Sequence, residues 1–281
     1  EPAIALANIH LVFNLATSLI FILFINPFTR FVDFILGEGK MDFIRLELPI
    51  FDENDDFEQV KPKLDKGAAD LFFFLQENYN TVTLSVETNY HGVFDAAEKR
   101  LDYINFIKKE YMNYFAKVVS LIREKNDSRH LIKLINQFDY LFQIHDSITD
   151  LFDSKRAMNA QYIELKSDVL ILVRELSSQT LGFFDEIHTA IIDDEALDIK
   201  TQAKELQHYI DSANRDLLTL LVNPTRVDAG ALTNFITYSQ RLKDKLTNFA
   251  NLKLPIAKSG SVKSASKNVK PEEQQTNRFT Q

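Results

Sequence analysis

This sequence predicts an all-α fold: one transmembrane helix followed by two three-helix bundle repeats. Three observations carry that expectation. Residues 2–29 contain no Asp, Glu, Lys or Arg. Behind them, apolar residues recur at spacings of three and four through six successive segments, the mark of amphipathic helices that need neighbours. Phe is abundant (23), while Gly (7) and Pro (7) are scarce. That balance suits long helices with aromatic cores rather than sheets and tight turns.

The first element is the apolar run at residues 11–28, LVFNLATSLIFILFINPF. With its flanks it is long enough to cross a bilayer core of about 30 Å at roughly 1.5 Å per residue. A cleaved signal peptide would need a basic leading region and a shorter apolar core. Here Glu1 and Pro2 precede the run, and no Lys or Arg appears before Arg30. His10, Asn14, Thr17 and Ser18 recur near one helical face. In lipid such groups pack against other helices, which makes His10 and Asn14 the candidate helix-packing residues of this span. Thr17 and Ser18 can equally bond back to their own helix. The chain opens on Glu1 rather than Met, so residues 1–37 are expected to be the end of a truncated membrane domain.

Residues 38–60 form a connector that closes on an acidic cluster, where negative charge favours the start of a following helix. The bundle is expected over residues 61–252, with repeats at about 61–159 and 160–252. The first helix, about 61–88, places Leu64, Ala68, Leu71, Leu75 and Tyr79 on one stripe, with Pro62 in its first turn. The second, about 93–124, does so with Leu101, Ile104, Ile107, Tyr111, Tyr114, Val118 and Ile122. The third, about 128–158, carries Leu131, Leu134, Phe138, Leu141, Ile144, Ile148 and Leu151.

The fourth helix, about 162–192, turns Leu165, Val169, Leu172, Leu176, Phe183 and Ile187 inward. The fifth, about 200–221, turns in Ala203, Leu206, Ile210, Ala213, Leu217 and Leu220 and stops at Asn223-Pro224. The sixth, about 229–252, carries Leu232, Phe235, Leu242, Leu246 and Phe249. Residues 253–281, rich in Ser, Lys and Gln without apolar periodicity, read as a disordered basic tail.

An internal repeat underlies the helix count. LFQIHDSITD in the third helix and SQRLKDKLTN in the sixth each carry an Asp, Asp146 and Asp244, with an apolar residue two before it. Asp150 and Asn248 follow four positions later.

Composition narrows the function. With no Cys, disulfides and thiolate metal sites are excluded, and a reducing, cytoplasmic setting fits. A net charge of -8 lacks the basic footprint of generic nucleic-acid binding. The six His are scattered, and neither a Gly-rich phosphate loop nor a Ser-His-Asp arrangement can be proposed. The chain is therefore not expected to be an enzyme. His145 beside Asp146 is a candidate to titrate near neutral pH, although adjacent residues on a helix do not face each other.

The segment ANIHLVFNLATSLIFILFINPFTRFV, residues 7–32, resembles the last membrane helix of the bacterial sodium/phosphate cotransporter family, in which a His, a Phe-Asn pair and a Pro-containing end recur. The bundle resembles the PhoU-like domain which that family often carries at its C-terminus. That domain is a pair of three-helix repeats whose third helices carry a Leu-Glu-Arg-Ile-Gly-Asp motif followed by Asn. The residues that match it are the two Asp motifs above, and KELQHYIDSANRDLLTLL, residues 204–221, is similar to the family's fifth helix.

The resemblance implies a possible divalent metal held by carboxylates one turn apart. Here Phe142 and Gln240 stand at the Glu positions. The candidate ligands are thus Asp146 and Asp244, joined by Glu98 and Asp102 on the second helix; the alternative is that these are solvated carboxylates, with Asp146 paired to a nearby base. No other cofactor is implied.

The function implied is the C-terminal part of a sodium-dependent phosphate cotransporter with a cytoplasmic PhoU-like regulatory or assembly module. Its partners would be upstream transmembrane helices of the same protein, the lipid bilayer, and inorganic phosphate with sodium as co-substrate through the missing domain; a homodimer is compatible. The location implied is the cell membrane, multi-pass in the full-length protein. The rival is a membrane-tethered PhoU-like signalling or scaffolding module without transport.

Overall fold

A computed structural model describes residues 8, 10–18, 24, 27, 43–52, 54–88, 90–221 and 228–254. Among them every regular element is helical. Residues 10–18 are helix, and His10 and Asn14 lie there with exposed side chains. Leu11, Val12, Phe13 and Leu15 are each more than 60% exposed, so none of the described residues covers this apolar stretch. Among the described residues no helix is long and apolar enough to cross a membrane. Most of the span expected from the sequence, like the tail from residue 255, lies outside the described residues.

Among the described residues the bundle has six long helices. Helix α1 is Phe57–Glu87, α2 is His91–Val118, α3 is Lys125–Ala160, α4 is Ser167–Asp193, α5 is Ile199–Leu221 and α6 is Ala229–Lys253. A single 3-10 turn, Val119–Leu121, follows α2.

Helix α1 begins four residues earlier than its periodicity implies, because Asp56 caps it. The Asp56 carboxylate accepts from the backbone N–H of Gln59 at 2.9 Å, and the Gln59 side chain accepts from Asp56 N–H at 3.0 Å. Such a reciprocal cap stabilises a helix start by about 1 kcal/mol. Pro62 consequently sits inside the helix rather than in its first turn. It is exposed, so the carbonyl it leaves without a donor faces water.

Helix α4 begins five residues later than expected because the chain turns sharply after α3. Ile163 N–H donates to Met158 C=O at 2.9 Å and Tyr162 N–H to Asn159 C=O at 3.2 Å. Those two bonds close a Schellman cap with Tyr162 in the left-handed region, at φ 55°. The end of α6 also differs from the reading: Lys253 belongs to the helix and Leu254 is buried, so the bundle extends two residues into the stretch assigned to the tail.

Packing reproduces the repeat. Helix α1 touches α2, α3 and α4, while α6 touches α3, α4 and α5. The third helices of the two repeats, α3 and α6, share the most extensive contact, and the first helices, α1 and α4, also meet. This leaves α1, α3, α4 and α6 in the middle, with α2 and α5 as outer counterparts. One core runs through all six helices. At its centre Phe72 of α1 stacks on Phe249 of α6, ring centroids 4.9 Å apart, and lies 5.4 Å from Phe184 of α4. Each such ring, fully buried, contributes roughly 1.5–3 kcal/mol by leaving water.

The connector is not a free linker. Over residues 43–52 it forms no regular element, and Phe43, Leu46, Leu48 and Phe51 pack onto the core. The Tyr103 hydroxyl accepts from Leu46 N–H at 3.0 Å. The Arg100 guanidinium lies over both Phe43 and Phe74, 5.2 and 4.6 Å from the ring centres. Further along, Phe51 meets Tyr114 edge-on at 5.9 Å. The connector therefore runs along the α1–α2 face as a strap.

Candidate functional site: the carboxylate face of α2, α3 and α6

The expected ligands sit on three helices, and the packing fixes their relation. Helices α3 and α6 are antiparallel: Gln137 donates to Leu252 C=O, Arg241 to Asp150 and Asn234 to Ser154. That register puts Asp146 and Asp244, the two motif carboxylates, at the same level of the pair. Both are more than half exposed.

Three of the four expected ligands are drawn toward a cation. Lys108 of α2 approaches Asp146 at 3.9 Å and lies 5.5 Å from the centre of the Phe142 ring. Glu98 of α2 accepts from Arg156 of α3 at 2.8 Å, and Asp153 accepts from the same guanidinium at 2.6 Å. Asp244 lies 3.0 Å from Lys243. The fourth, Asp102, is exposed on α2, one turn beyond Glu98.

Among the described residues no three His, Cys, Asp or Glu side chains are placed to hold a metal ion together. A hard divalent cation takes about six or more oxygen ligands, shared among carboxylates, carbonyls and water. As placed, Asp146, Asp244, Glu98 and Asp102 are not drawn together into one ligand set among the described residues. The reason is visible at Phe142: its position is fully buried in the core beside Phe138, where a carboxylate would lose its hydration. What the face can do is hold ion pairs that join α2 to α3 and α3 to α6.

Next to this face, Asp150 and His145 of α3 are displaced by their surroundings. Burial is the main cause that raises the Asp150 carboxyl above the usual range; Arg241 opposes it, while Asp153 and Asp146 add to it. His145 is buried, and burial, helped by the Lys108 charge, pushes it down to about 4. It is therefore neutral at pH 7 and does not titrate near neutrality as its place beside Asp146 suggests. The periodicity already holds the reason, since His145 falls one position after core Ile144 and one turn before core Ile148.

Sequence reasoning missed the Glu98–Arg156–Asp153 network and the Asp150–Arg241 pair. The repeat marks Asp150 as a polar position, but its partner lies in the other repeat, 91 residues away.

An all-helical bundle of two three-helix repeats with paired third helices is the architecture these observations define. The chain is similar to the crystal structure of PhoU from Pseudomonas aeruginosa, with a TM-score of 0.60 and 15% sequence identity over 69% of this chain and 95% of that one. The fold is PhoU-like. No protein-family model and no curated protein sequence matches the chain.

Proposed function

We propose that the chain is the C-terminal portion of a sodium-dependent phosphate cotransporter, in which the PhoU-like bundle is a cytoplasmic regulatory or assembly module. The observation that carries this reading is the order of parts. A charge-free apolar stretch at residues 2–29 leads into a bundle of PhoU-like fold. The strap at residues 43–52 supports it, because the chain that leads from the apolar stretch is docked on the α1–α2 face before the bundle begins. The ion-paired face of α2, α3 and α6 serves in this reading as internal bracing rather than as a metal centre.

The test is reconstitution of the full-length gene product in liposomes with an imposed sodium gradient. Phosphate uptake that requires sodium is the expected result. Absence of such uptake would sink the proposal and favour a membrane-tethered scaffolding module.

A further inference from the structure

Helix α2 changes character along its length. Its first half carries Asp95, Glu98 and Asp102. Residues 103–123, which run from its second half through the 3-10 turn, hold Lys108, Lys109, Lys117 and Arg123 against a single carboxylate, Glu110. Glu110 is half-buried and lines a small cavity with Leu48 and Pro49 of the strap. In a chain of net charge -8, this stretch is locally basic.

Large apolar side chains share the same outer surface. Phe106, Met112 and Val119 are 52%, 45% and 56% exposed. With Lys109 they recur at steps of three and seven, which places them on one side of the helix. On the strap beside α2, Ile44 and Ile50 are 90% and 83% exposed. Single exposed apolar residues are ordinary, but a group interleaved with cations is the pattern of a helix that lies on a membrane surface.

The cations are open to a ligand. Arg45, Lys109 and Arg123 are exposed and have no carboxylate partner among the described residues. Lys117 lies over the Phe51 ring and is also exposed. The nearest strap carboxylates are engaged elsewhere, Glu47 with Lys66 and Asp55 with Lys63.

The course of the chain says what faces this surface. The strap runs beside α2 from Phe43, against Tyr103, to Phe51, against Tyr114. Residues 30–42 alone separate it from the charge-free stretch at 2–29, and such a length reaches at most about 45 Å. The strap side of α2 is therefore the side held nearest to a bilayer that contains the apolar stretch. An anionic headgroup layer complements both parts of the surface, with phosphates for the cations and a shallow apolar zone for the Phe, Met, Val and Ile side chains.

We propose that the outer face of the second half of α2, with the exposed residues of the strap, rests on an anionic lipid bilayer. Phe106, Met112 and Ile50 enter the headgroup region, and Lys109, Lys117 and Arg123 meet lipid phosphates. This inference rests on the membrane attachment contained in the transport reading.

The chain has no Cys, so single labels can be placed at will. Met112→Cys and Leu218→Cys, the latter at an exposed site on α5, are each given a fluorophore in the full chain. Each is reconstituted into phosphatidylcholine vesicles with and without phosphatidylglycerol, doped with a nitroxide lipid as quencher. The label at 112 should be quenched several-fold more than the label at 218. That excess should fall by about half or more without phosphatidylglycerol, and likewise in about 1 M salt, which screens the headgroup charge. Lys109→Glu combined with Lys117→Glu should lose it to the same extent, and the lipid and salt comparisons hold whether or not that variant folds. Equal quenching at 112 and 218 in a chain that floats with the vesicles would overturn this inference alone and leave the uptake reading standing. Quenching at 112 that ignores both salt and anionic lipid would overturn it too. So would self-quenching of the 112 label in detergent, the sign of a second copy seated on this face. A chain that does not float with vesicles at all would remove the membrane attachment and this inference together.

Discussion

The guanidinium of Arg241 on α6 donates to the carboxylate of Asp150 on α3 at 3.5 Å, tying the equivalent third helices of the two repeats together. Both side chains are about half exposed, so water weakens the pair and Arg241→Ala should cost less than about 1 kcal/mol. The change should instead be seen in the titration. Arg241 is the group that opposes the burial-driven rise of the Asp150 carboxyl, so its loss should push that carboxyl higher still. Carboxyl NMR of the variant reads this directly, and an unmoved Asp150 would remove Arg241 from the account.

His145 makes the fold sensitive to acid. Its folded value of about 4 lies below its ordinary 6.5, so the unfolded chain takes up a proton more readily. The stability it permits is whole above pH 6.5, declines as pH falls through that value, and levels off below about pH 4. The full loss is about 3 kcal/mol at roughly 1.4 kcal/mol per unit. Denaturant unfolding at pH 7 and pH 4.5 should show this for the natural chain, and His145→Leu should be less steeply affected. Parallel pH curves for the two would contradict it.

Gly67 on α1 faces Tyr111 on α2 so closely that a Cβ at Gly67 would overlap the Tyr111 hydroxyl oxygen. In an open helix Gly→Ala stabilises by about 1 kcal/mol. Here Tyr111 is buried and held by Phe138, ring centroids 4.3 Å apart, so the ring cannot swing aside. Gly67→Ala should destabilise by about 1–3 kcal/mol. Adding Tyr111→Phe should restore much of the loss, since the next ring atom lies at 3.2 Å. Thermal melts of the single and double variants decide the matter.

The strap should detach without unfolding the bundle. Phe43→Ala together with Tyr103→Phe removes the ring packed by Arg100 and the hydroxyl bonded to Leu46. Limited proteolysis should then cut within residues 43–52 markedly faster, while bundle stability falls by about 1–3 kcal/mol. Unchanged cleavage would mean that other contacts hold the strap.

The helices are legible in the sequence because their burial is periodic. Every inward residue assigned to α3, from Leu131 to Leu151, and to α6, from Leu232 to Phe249, is buried. Boundaries shift where a local cap outranks the stripe, at Asp56 and at Tyr162, and α2 stops about six residues short of its expected end, at Val118, where a 3-10 turn takes over and leaves Ile122 outside the helix. Phe72, Phe142, Phe152 and Phe184 are fully buried yet are not among the inward residues assigned to the stripe of each helix. They belong to α1, α3 and α4, central helices that touch three neighbours or more and so bury a wider arc than one amphipathic face. The site is less legible than the fold, because ion pairs such as Glu98–Arg156 join residues far apart in sequence, and no spacing rule reports them.

The shared core has a consequence for half of the chain. Phe72 belongs to the first repeat, but both rings that cover it, Phe184 and Phe249, come from the second. A polypeptide ending at Ala160 would leave that aromatic face bare on α1 and α3. The cheapest cover is another copy of itself, which would rebuild the four central helices as a true two-fold dimer. Sedimentation of such a half-chain should find a dimer, and a stable monomer would show that the seam between repeats is not what keeps each of them folded.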